Sequence, residues 1–467
     1  MRIVMKFGGT SVSSEKGIKK LVEIVKNTVL DGNEVVVVVS AMTGVTNKIF
    51  EAISKVAVSD QSLVKDFIEE VKDKHIEFAR KIIREKKLYE NIHNEIESLI
   101  EKWGKVLTSI TYLKEVTPRS RDYIVSFGEK FSSAIVCAAL KEAGLKAEWY
   151  TGGKAGIVTD DQFGNATPLM EITTYQVKKK LESIIKEGII PVITGYIAHS
   201  QDGTTTTLGR GGSDYTATIL GVALDVDEIW IWTDVTGLMT ADPKIEPLAK
   251  TIPTISYVEA MEMAYFGAKG LPPKALEPAA NKEIYVRIKN TFNPKEEGTL
   301  IEKNQSVKSV DIAKTIAIIR DVALITVSGA GMAGTPGVAA KVFKILGENQ
   351  VNILMISQGS SEANISFIIP RERLDTATNT LELALLGSRN IKGISTEEDV
   401  CIIAIVGAGM KGTPGVAARV FTTVADRDVN VRMIAQGSSE LNISFVIPET
   451  DGVKIVRALH REFQLNR

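Results

Sequence analysis

Short apolar runs alternate with longer stretches of helical periodicity from Met1 to about Asn290. Four runs predict strands: Ile3 to Phe7, Val35 to Val39, Ile189 to Ile197 and Glu228 to Thr233. Helical spacing follows the first run, with apolar residues at Ile18, Leu21, Val22, Val25 and Val29. Because the valine run is apolar on both faces, the alternation predicts an α/β fold with a parallel-rich sheet sandwiched by helices.

A different pattern fills the region from Thr46 to Lys114. It is rich in Lys, Glu, Ile and Leu and has few helix breakers. This composition predicts a helical insertion whose charges form a solvated face.

The last third of the chain contains an internal repeat. Gly329 to Pro370 aligns without a gap on Gly407 to Pro448, with 28 of 42 positions identical and an offset of 78 residues. Each copy predicts a strand, a glycine turn, a helix with Pro336 or Pro414 in its first turn, and two strands joined by a polar turn. That pattern is half of a small α+β module of the βαββαβ type.

The glycines of the repeat also match the dinucleotide-binding pattern G-x-G-x-x-G, at 329–334 and 407–412. A period of 78 residues is too short for a dinucleotide domain, and Gln-Gly-Ser-Ser-Glu after the helix predicts a hairpin instead. The same glycines, with Thr335 and Thr413, are suited to hold the carboxylate of a small amino acid on backbone N–H groups.

Size and composition narrow the class of protein. A chain of 467 residues and 50.7 kDa predicts two to three domains. Lys plus Arg (56) nearly balances Asp plus Glu (57), which disfavours nucleic acid as a partner. Cys137 and Cys401 lie in apolar runs, so neither a disulfide nor a thiolate metal site is expected. With no signal-peptide pattern and no apolar stretch near the ~18 residues of a membrane span, we expect a cytoplasmic protein without membrane contact.

A glycine pair follows the first predicted strand, in the segment Lys6-Phe7-Gly8-Gly9-Thr10-Ser11. Glycines at a strand–loop–helix turn let backbone N–H groups approach an anion, and Lys6 adds a positive charge. The turn predicts a phosphate site, although glycines after a strand also make tight turns that bind nothing.

Two further segments carry polar groups after apolar runs. Ser40 to Asn47 follows the valine strand, at the end of the strand where open α/β sheets bind ligands, but it is equally a plain Ser/Thr turn. Ser126 to Glu129 places a carboxylate at a helix start, where it either faces a ligand or completes a capping box.

An arginine between glycines is the most pointed of these signals. Arg210 has the fork geometry to clamp a carboxylate, and it is followed by Ser213 and Asp214 where a helix should open. Asp214 is a candidate base or organiser, and Ser213 is a candidate N-cap. Polar turns at Thr233 to Gly237 and Ala241 to Lys244 follow the fourth strand and alone say little. Neither a Walker A loop nor a protein-kinase H-R-D loop occurs, so phosphoryl transfer would need another scaffold.

Together, and in this order, these segments resemble the aspartokinases of the amino-acid kinase family, which carry paired C-terminal ACT modules. Six matches span essentially the whole chain: KFGGTSV at 6–12, SAMTGVTN at 40–47, SFGE at 126–129, LGRGGSDYTA at 208–217, WTDVTGLMTADP at 232–243 and FGAK at 266–269. The chain departs where the family commonly reads G-A-K-V-L-H-P, because Gly270 and Pro272 replace the valine and the histidine. The resemblance implies a kinase domain at 1–295 and ferredoxin-like ACT domains at 312–392 and 396–467.

The resemblance implies roles for matching positions. The transfer site is implied at Lys6, Gly8, Gly9, Arg210 and Asp214. The aspartate pocket is implied at Ser40, Thr46, Glu129, Arg210 and Ser213, with Glu129 facing the substrate ammonium. The nucleotide site is implied at Lys6, Gly8, Gly9, Thr10, Ser11, Gly211, Gly212, Thr233, Asp234, Asp242, Lys244 and Lys269. The implied reaction is attack of the β-carboxylate of L-aspartate on the γ-phosphorus of Mg-ATP, with ATP and Mg²⁺ as cofactors and no protein-bound metal.

The repeat implies feedback control by an amino acid. Its effector-binding residues are implied at Gly331, Gly334, Thr335, Pro336, Gly337, Val338, Asn352, Ile353, Gln358, Ser361, Asn430, Val431 and Gln436. The form of the Gln-Gly-Ser-Ser-Glu segments favours threonine over lysine, since Gln358 and Gln436 are neutral partners for a hydroxyl. Glu362 and Glu440 could still pair with a lysine ammonium. ACT modules commonly pair sheets side by side, which implies a homodimer or a dimer of dimers through Val338, Asn352, Ile353, Asn430 and Val431.

Two other functions remain open at this point. A kinase of the same fold for glutamate, carbamate or uridylate would not predict the duplicated half or SFGE. A non-catalytic amino-acid-binding regulator would leave Lys6, Arg210 and Asp214 without a role.

Overall fold

The structure, a computed structural model, describes residues 1–56, 61–266, 271–303, 312–385, 387 and 390–466. The chain forms two compact units. The first comprises Met1–Leu238, Pro253–Met261 and Gly270–Asn304, and the second comprises Met239–Ile252, Glu262–Lys269 and Gln305–Arg467.

An eight-stranded sheet organises the first unit. The strands of this unit are β1 (Arg2–Phe7), β2 (Glu34–Val39), β3 (Ala147–Tyr150), β4 (Val158–Thr159), β5 (Ile190–Thr194), β6 (Ile197–Ser200), β7 (Thr205–Thr207), β8 (Glu228–Thr233), β9 (Thr254–Ser256), β10 (Tyr285–Asn290) and β11 (Thr299–Glu302). The large sheet has the order β3-β5-β2-β1-β8-β10-β11-β9, and every neighbouring pair is parallel except β10 with β11. The predicted parallel-rich sheet is confirmed. A second sheet has the order β4-β6-β7.

Helices surround this sheet as the alternating pattern predicts. They are α1 (Gly9–Val12), α2 (Glu15–Leu30), α3 (Val45–Val56), α4 (Gln61–Ile82), α5 (Lys86–Leu113), α6 (Pro118–Val125), α7 (Phe127–Glu142), α8 (Gly152–Ala155), α9 (Met170–Lys186), α10 (Gly212–Ala223), α11 (Tyr257–Tyr265, which passes from the first unit into the second) and α12 (Pro273–Lys282). The helical insertion predicted between Thr46 and Lys114 is observed as α3, α4 and α5. In α2 the buried side chains include Ile18, Leu21 and Val25, the face that the helical spacing predicted.

Two sequence-based expectations for the first unit were wrong. The run Ile189 to Ile197 is two strands, because β5 ends at Thr194 and Tyr196 turns the chain in a left-handed conformation (φ 67°). The second expectation was that no apolar stretch comes near the length of a membrane span. The stretch Pro118–Glu142 is long and apolar enough to cross a membrane by length and composition, but 94% of its most apolar window is buried inside the protein. Its apolar character is explained by α7, which is covered by other elements on nearly all sides.

The second unit is built around the repeat. Its strands are β12 (Thr315–Ser328), β13 (Met355–Gln358), β14 (Asn364–Pro370), β15 (Gly393–Val406), β16 (Met433–Ala435) and β17 (Asn442–Pro448). Its helices are α13 (Val338–Glu348), α14 (Leu374–Leu385), α15 (Val416–Ala425) and α16 (Gly452–Glu462), with short 3₁₀ turns at Ala330–Met332, Arg371–Arg373, Ala408–Met410 and Glu449–Asp451. The sheet order is β13-β14-β12-β15-β17-β16, with every pair antiparallel. An antiparallel sheet excludes the dinucleotide-binding alternative and confirms the ferredoxin-like modules.

The two copies share their longest strands, which the sequence did not predict. The first part of β12 pairs with the last part of β15 (Thr315 with Val406), and Ile316 lies in the core of the second copy with Ile403. The later part of β12 places Ala323 and Ile325 in the core of the first copy. The fourth strand of the second copy therefore precedes the first copy in the sequence.

The prolines of the repeat lie outside the helices that they were expected to open. Helix α13 begins at Val338 and α15 at Val416. The N-cap residues, Gly337 and Gly415, have φ values of 88° and 83°. A left-handed residue interrupts the helical backbone, so Pro336 belongs to the preceding turn.

Candidate active site

A cavity of about 650 Å³ opens in the first unit beside the carboxyl ends of β1 and β2. Nine of its lining residues are sequence-predicted site residues: Lys6, Ser40, Thr46, Glu129, Arg210, Gly211, Gly212, Ser213 and Asp214. The others are Asn47, Phe50, Gly164, Tyr196 and Gly209. Every residue that the resemblance implied for an aspartate pocket therefore lines one cavity, at the end of the strands where open α/β sheets bind ligands.

A lysine and an aspartate meet in this cavity. Lys6 is the fifth residue of β1, and Asp214 lies in the first turn of α10. The Lys6 Nζ atom lies 2.5 Å from Asp214 Oδ1, and the two side chains are only 10% and 15% exposed. The pair places a buried positive charge beside a carboxylate.

Glu129 contributes a carboxylate whose second oxygen is free. The residue is 4% exposed on α7, and its Oε2 has no hydrogen-bond partner in the described part of the chain. Burial raises the pKa of Glu129 to about 8, and a hydrogen bond from the Ala41 backbone opposes that shift. The capping-box alternative is not observed, because Ser126 caps no N–H group and its hydroxyl donates to the Tyr123 carbonyl oxygen at 2.6 Å.

Arg210 is presented on a loop shaped by glycines. Gly209 and Gly211 have φ values of 77° and 71°, and Gly211 is the N-cap of α10, which excludes the N-cap role considered for Ser213. A Cβ on Gly211 would lie 2.2 Å from Pro272 Cγ, so the loop packs against the proline that departs from the family pattern. Arg210 is exposed, and its guanidinium makes no hydrogen bond or ion pair with the residues that the structure describes.

The glycine pair after β1 supports the cavity from behind. A Cβ on Gly9 would lie 3.0 Å from the Ala41 carbonyl oxygen, so glycine allows this turn to approach the loop after β2. Ser11 is fully buried, and its hydroxyl lies 2.7 Å from that of Thr291. Gly8, Gly9, Thr10 and Ser11 do not line the cavity, although all four were assigned to the nucleotide.

The remaining residues assigned to the nucleotide fall on different parts of the chain. Thr233 ends β8, and Asp234 follows it in the first unit, where the Thr233 hydroxyl donates to Asp234 at 3.3 Å. Asp242 and Lys244 lie in the second unit, where Asp242 accepts a hydrogen bond from the Lys244 N–H at 2.9 Å. Lys269 lies outside the described residues.

The segment that carries Asp242 and Lys244 is held by the second unit. The Thr240 hydroxyl oxygen lies 2.9 Å from Nε2 of the buried His460, on α16. The Thr315 hydroxyl donates to the Met239 carbonyl oxygen at 3.0 Å. Sequence reasoning missed this attachment, for which no local pattern gives a signal.

The glycine turns of the two copies are closed by their own glutamates. Glu362 accepts a hydrogen bond from the Gly334 N–H at 2.8 Å, and Glu440 accepts one from the Gly412 N–H at 2.7 Å. In the first copy the Thr335 hydroxyl donates to the Gly331 carbonyl oxygen, also at 2.8 Å. One N–H group of each turn is therefore engaged by a glutamate of its own copy.

The residues assigned to an effector are exposed or half-buried in the second unit. Exposed positions are Gly331, Gly334, Pro336, Gly337, Asn352, Gln358, Ser361, Asn430 and Gln436, and half-buried positions are Thr335, Val338, Ile353 and Val431. The side chains of Gln358 and Gln436 make no hydrogen bond with any described residue. Both are available to a ligand.

No metal cage is formed by protein side chains in the described ranges. No group of three or more His, Cys, Asp or Glu residues there is placed to hold an ion.

Comparison with known proteins agrees with this geometry. The family described as "Amino acid kinase family" matches residues 1–290, and the family described as "ACT domain" matches 325–385 and 403–463. Aspartokinase 1, chloroplastic, from Arabidopsis thaliana is 34% identical over 469 residues, which are 98% of this chain and 80% of that protein. E. coli aspartokinase III, solved with aspartate and ADP (R-state), has a TM-score of 0.82 at 28% identity, and the match covers 99% of both chains. Its structure with lysine and aspartate (T-state) also has a TM-score of 0.82, at 29% identity and 99% coverage of both chains.

The chain belongs to the amino acid kinase family, within the aspartokinases that carry ACT domains. Members of this family use ATP as the phosphoryl donor and act in amino-acid biosynthesis. Their ACT domains are regulatory, so the enzymes are allosteric.

Proposed function

We propose that this protein transfers the γ-phosphoryl group of ATP to the β-carboxylate of L-aspartate, giving 4-phospho-L-aspartate. The observation that carries the proposal is one cavity that holds the Lys6–Asp214 ion pair, the free carboxylate oxygen of Glu129 and the unpaired Arg210. An amino-dicarboxylate needs a partner for its ammonium and a partner for a carboxylate, and Glu129 and Arg210 supply them.

The transfer step needs positioning more than base catalysis. An oxygen of the β-carboxylate forms a bond to the γ-phosphorus while the bond to the β,γ-bridging oxygen breaks, and ADP leaves with the electron pair. No proton has to move, because a carboxylate is already a nucleophile. Lys6 and Arg210 lie beside the negative charge that is spread over the transferred group, and Asp214 holds Lys6 in place. Gly8 and Gly9 keep the backbone close to the phosphates.

The substrate pocket is proposed to have two charged ends. Glu129 binds the ammonium, and Arg210 binds a carboxylate. Ser40, Thr46 and Ser213 provide short hydroxyl partners between them.

The nucleotide partners are proposed at the positions that the resemblance implied. They are Lys6, Gly8, Gly9, Thr10, Ser11, Gly211, Gly212, Thr233, Asp234, Asp242, Lys244 and Lys269. Mg²⁺ enters as part of the substrate Mg-ATP. The buried Ser11 acts through the turn backbone, since its hydroxyl lies against Thr291.

The second unit is proposed to be the regulatory half, with threonine favoured over lysine as effector. The exposed amides of Gln358 and Gln436 suit a hydroxyl, while the carboxylates of Glu362 and Glu440 are engaged by backbone N–H groups. We propose a homodimer, or a dimer of dimers, through Val338, Asn352, Ile353, Asn430 and Val431. We also propose a kinase domain at 1–295 and ACT domains at 312–392 and 396–467, with the segment Thr315–Ile319 of the first ACT range completing the sheet of the second. A cytoplasmic location rests on the two free, buried cysteines, although the Arabidopsis relative is chloroplastic.

One assay tests the proposed activity. ADP release should depend on aspartate, with little release when glutamate replaces aspartate or when no acceptor is present. Release with glutamate alone would indicate another kinase of the same fold, and no release with any acceptor would indicate a non-catalytic regulator.

A further inference from the structure

A buried aspartate outside the cavity ties together two of the segments that form its wall. Asp122 lies on α6 and is 1% exposed. Its Oδ2 accepts hydrogen bonds from the Gly164 N–H at 2.9 Å and from the Thr207 N–H at 2.8 Å. Gly164 lines the cavity, and Thr207 is the last residue of β7, three positions before Arg210.

The two tied segments also contact each other next to the arginine. The Ala166 N–H donates to the Thr207 carbonyl oxygen at 2.9 Å. A Cβ on Gly209 would lie 2.5 Å from Asn165 Oδ1, so this loop packs directly against the residue before Arg210. The position of Arg210 therefore depends on how the segments 164–166 and 207–209 are held.

We propose that Asp122 is a positioning residue for aspartate binding, which acts by fixing the loop that presents Arg210. The guanidinium has no partner of its own among the described residues, so only its backbone can hold it over the cavity. A buried carboxylate oxygen shared by two backbone N–H groups is a strong and short-range way to fix that backbone. Burial raises the pKa of Asp122, and the hydrogen bonds from the Gly164 and Thr207 N–H groups oppose that shift.

This inference rests on the proposed function, and Asp160 provides a matched control. Asp160 Oδ1 also accepts two backbone N–H bonds of the same loop, from Gln162 at 3.2 Å and Thr167 at 3.0 Å. It does not line the cavity. Because Asp160 makes no hydrogen bond to the segment 207–209 in the described chain, Asp160→Asn should raise the KM for aspartate less than Asp122→Asn does.

The test is a set of steady-state measurements on full-length enzyme. We expect Asp122→Ala to raise the KM for aspartate about ten- to a hundredfold, with the KM for ATP nearly unchanged, because a displaced loop misplaces a bound group. Asp122→Asn should raise the KM for aspartate in the same direction but less, because an amide oxygen still accepts a hydrogen bond, though more weakly than a carboxylate. In an Arg210→Ala background, Asp122→Asn should add little further rise, because two residues that act as one unit are not additive. An unchanged KM for aspartate, an equal rise in both KM values, or full additivity with Arg210→Ala would overturn the proposal.

A second measurement separates this inference from the activity itself. In substrate-free protein, amide hydrogen exchange at 207–212 should be faster in Asp122→Asn than in wild type or Asp160→Asn. Wild-type protein without aspartate-dependent ADP release would defeat the proposed function alone, whereas unchanged exchange would defeat the role of Asp122 even in an active enzyme.

Discussion

Two glycine-rich sites of this protein differ in whether their polar groups have hydrogen-bond partners within the protein. In the first unit the cavity keeps groups unsatisfied, because Glu129 Oε2 and the Arg210 guanidinium have no partner in the described chain. In the second unit the glycine turns are satisfied from within, since Glu362 and Glu440 accept the N–H groups of Gly334 and Gly412. A glycine turn between a strand and a helix is thus not by itself a binding site. The unpartnered side chains beside it are the better guide, and for the buried Glu129 oxygen the missing partner costs stability unless a ligand supplies one.

The largest effect should follow from the ion pair in the cavity. Lys6→Ala or Asp214→Ala should lower kcat roughly 10²- to 10³-fold, because each removes a preorganised charge from the transfer site. Each single variant also leaves its partner buried and alone, which typically costs about 3–5 kcal/mol of stability. The double variant should therefore recover thermal stability but not turnover.

The control for that prediction is the exposed pair Lys19 with Glu15, where Lys19→Ala should change neither quantity. Turnover close to wild type in a folded Lys6→Ala or Asp214→Ala variant would remove both residues from the transfer site.

A smaller effect is expected at the free carboxylate of the cavity. Glu129→Gln should raise the KM for aspartate about ten- to a hundredfold and leave the KM for ATP nearly unchanged, because a neutral amide is a poor partner for the substrate ammonium. Initial rates with each substrate varied in turn measure this split. A rise confined to the KM for ATP would place Glu129 in the wrong pocket.

Glu129 also predicts a pH dependence of stability. Burial raises its pKa from 4.5 to about 8, so the folded state binds the proton more tightly than the unfolded state does. This contribution to stability is fully present below pH 4.5 and is lost as pH rises through about 8. Glu129→Gln should therefore lose less Tm than wild type between pH 6 and pH 9, as measured by thermal melts in matched buffers. Equal losses in the two proteins would mean that the Glu129 carboxylate is not destabilised by burial.

The smallest effect is expected on inhibition by threonine, where Gln358, whose side chain has no partner in the described chain, should differ from Glu362, which is hydrogen-bonded to Gly334. Gln358→Ala should weaken inhibition by threonine about fivefold or more and leave uninhibited turnover intact. Glu362→Gln should shift inhibition by less than about threefold, because its oxygen can still accept from Gly334. Calorimetric titration of threonine and of lysine identifies the effector, and heat with lysine alone would reverse the preference for threonine.

The features of the fold that depend on local sequence patterns were predictable. The features that depend on backbone conformation or on contacts between distant segments were not. Alternating apolar runs predicted the parallel sheet, and the repeat predicted both ACT modules. The break at Tyr196 was missed because a left-handed non-glycine residue leaves no mark in hydrophobic periodicity. The start of α13 was misplaced because Gly337, and not Pro336, sets it. The pairing of Thr315 with Val406 joins residues that no local pattern relates.

The candidate site divides in the same way. The order of the motifs identified Lys6, Glu129, Arg210 and Asp214 as site residues. It did not predict which atoms surround them. The free oxygen of Glu129 results from burial on α7, and the orientation of Ser11 toward Thr291 results from tertiary packing. The role proposed for Asp122 depends on backbone N–H groups from two segments, the loop at Gly164 and the end of β7 at Thr207, which only a three-dimensional arrangement brings together.

Because the two copies share strands, the two sequence repeats do not correspond to two structural modules of the same connectivity. In three dimensions the first copy is an insertion within the second, since the strand Thr315–Ile319 that completes the second copy precedes the first. A fragment cut to the second sequence repeat would lack that strand and would expose an edge of β15, which is a template for aggregation. Unfolding of the first copy would also lengthen a connection inside the second, at an entropic cost that grows with loop length. We therefore expect the stabilities of the two copies to be coupled.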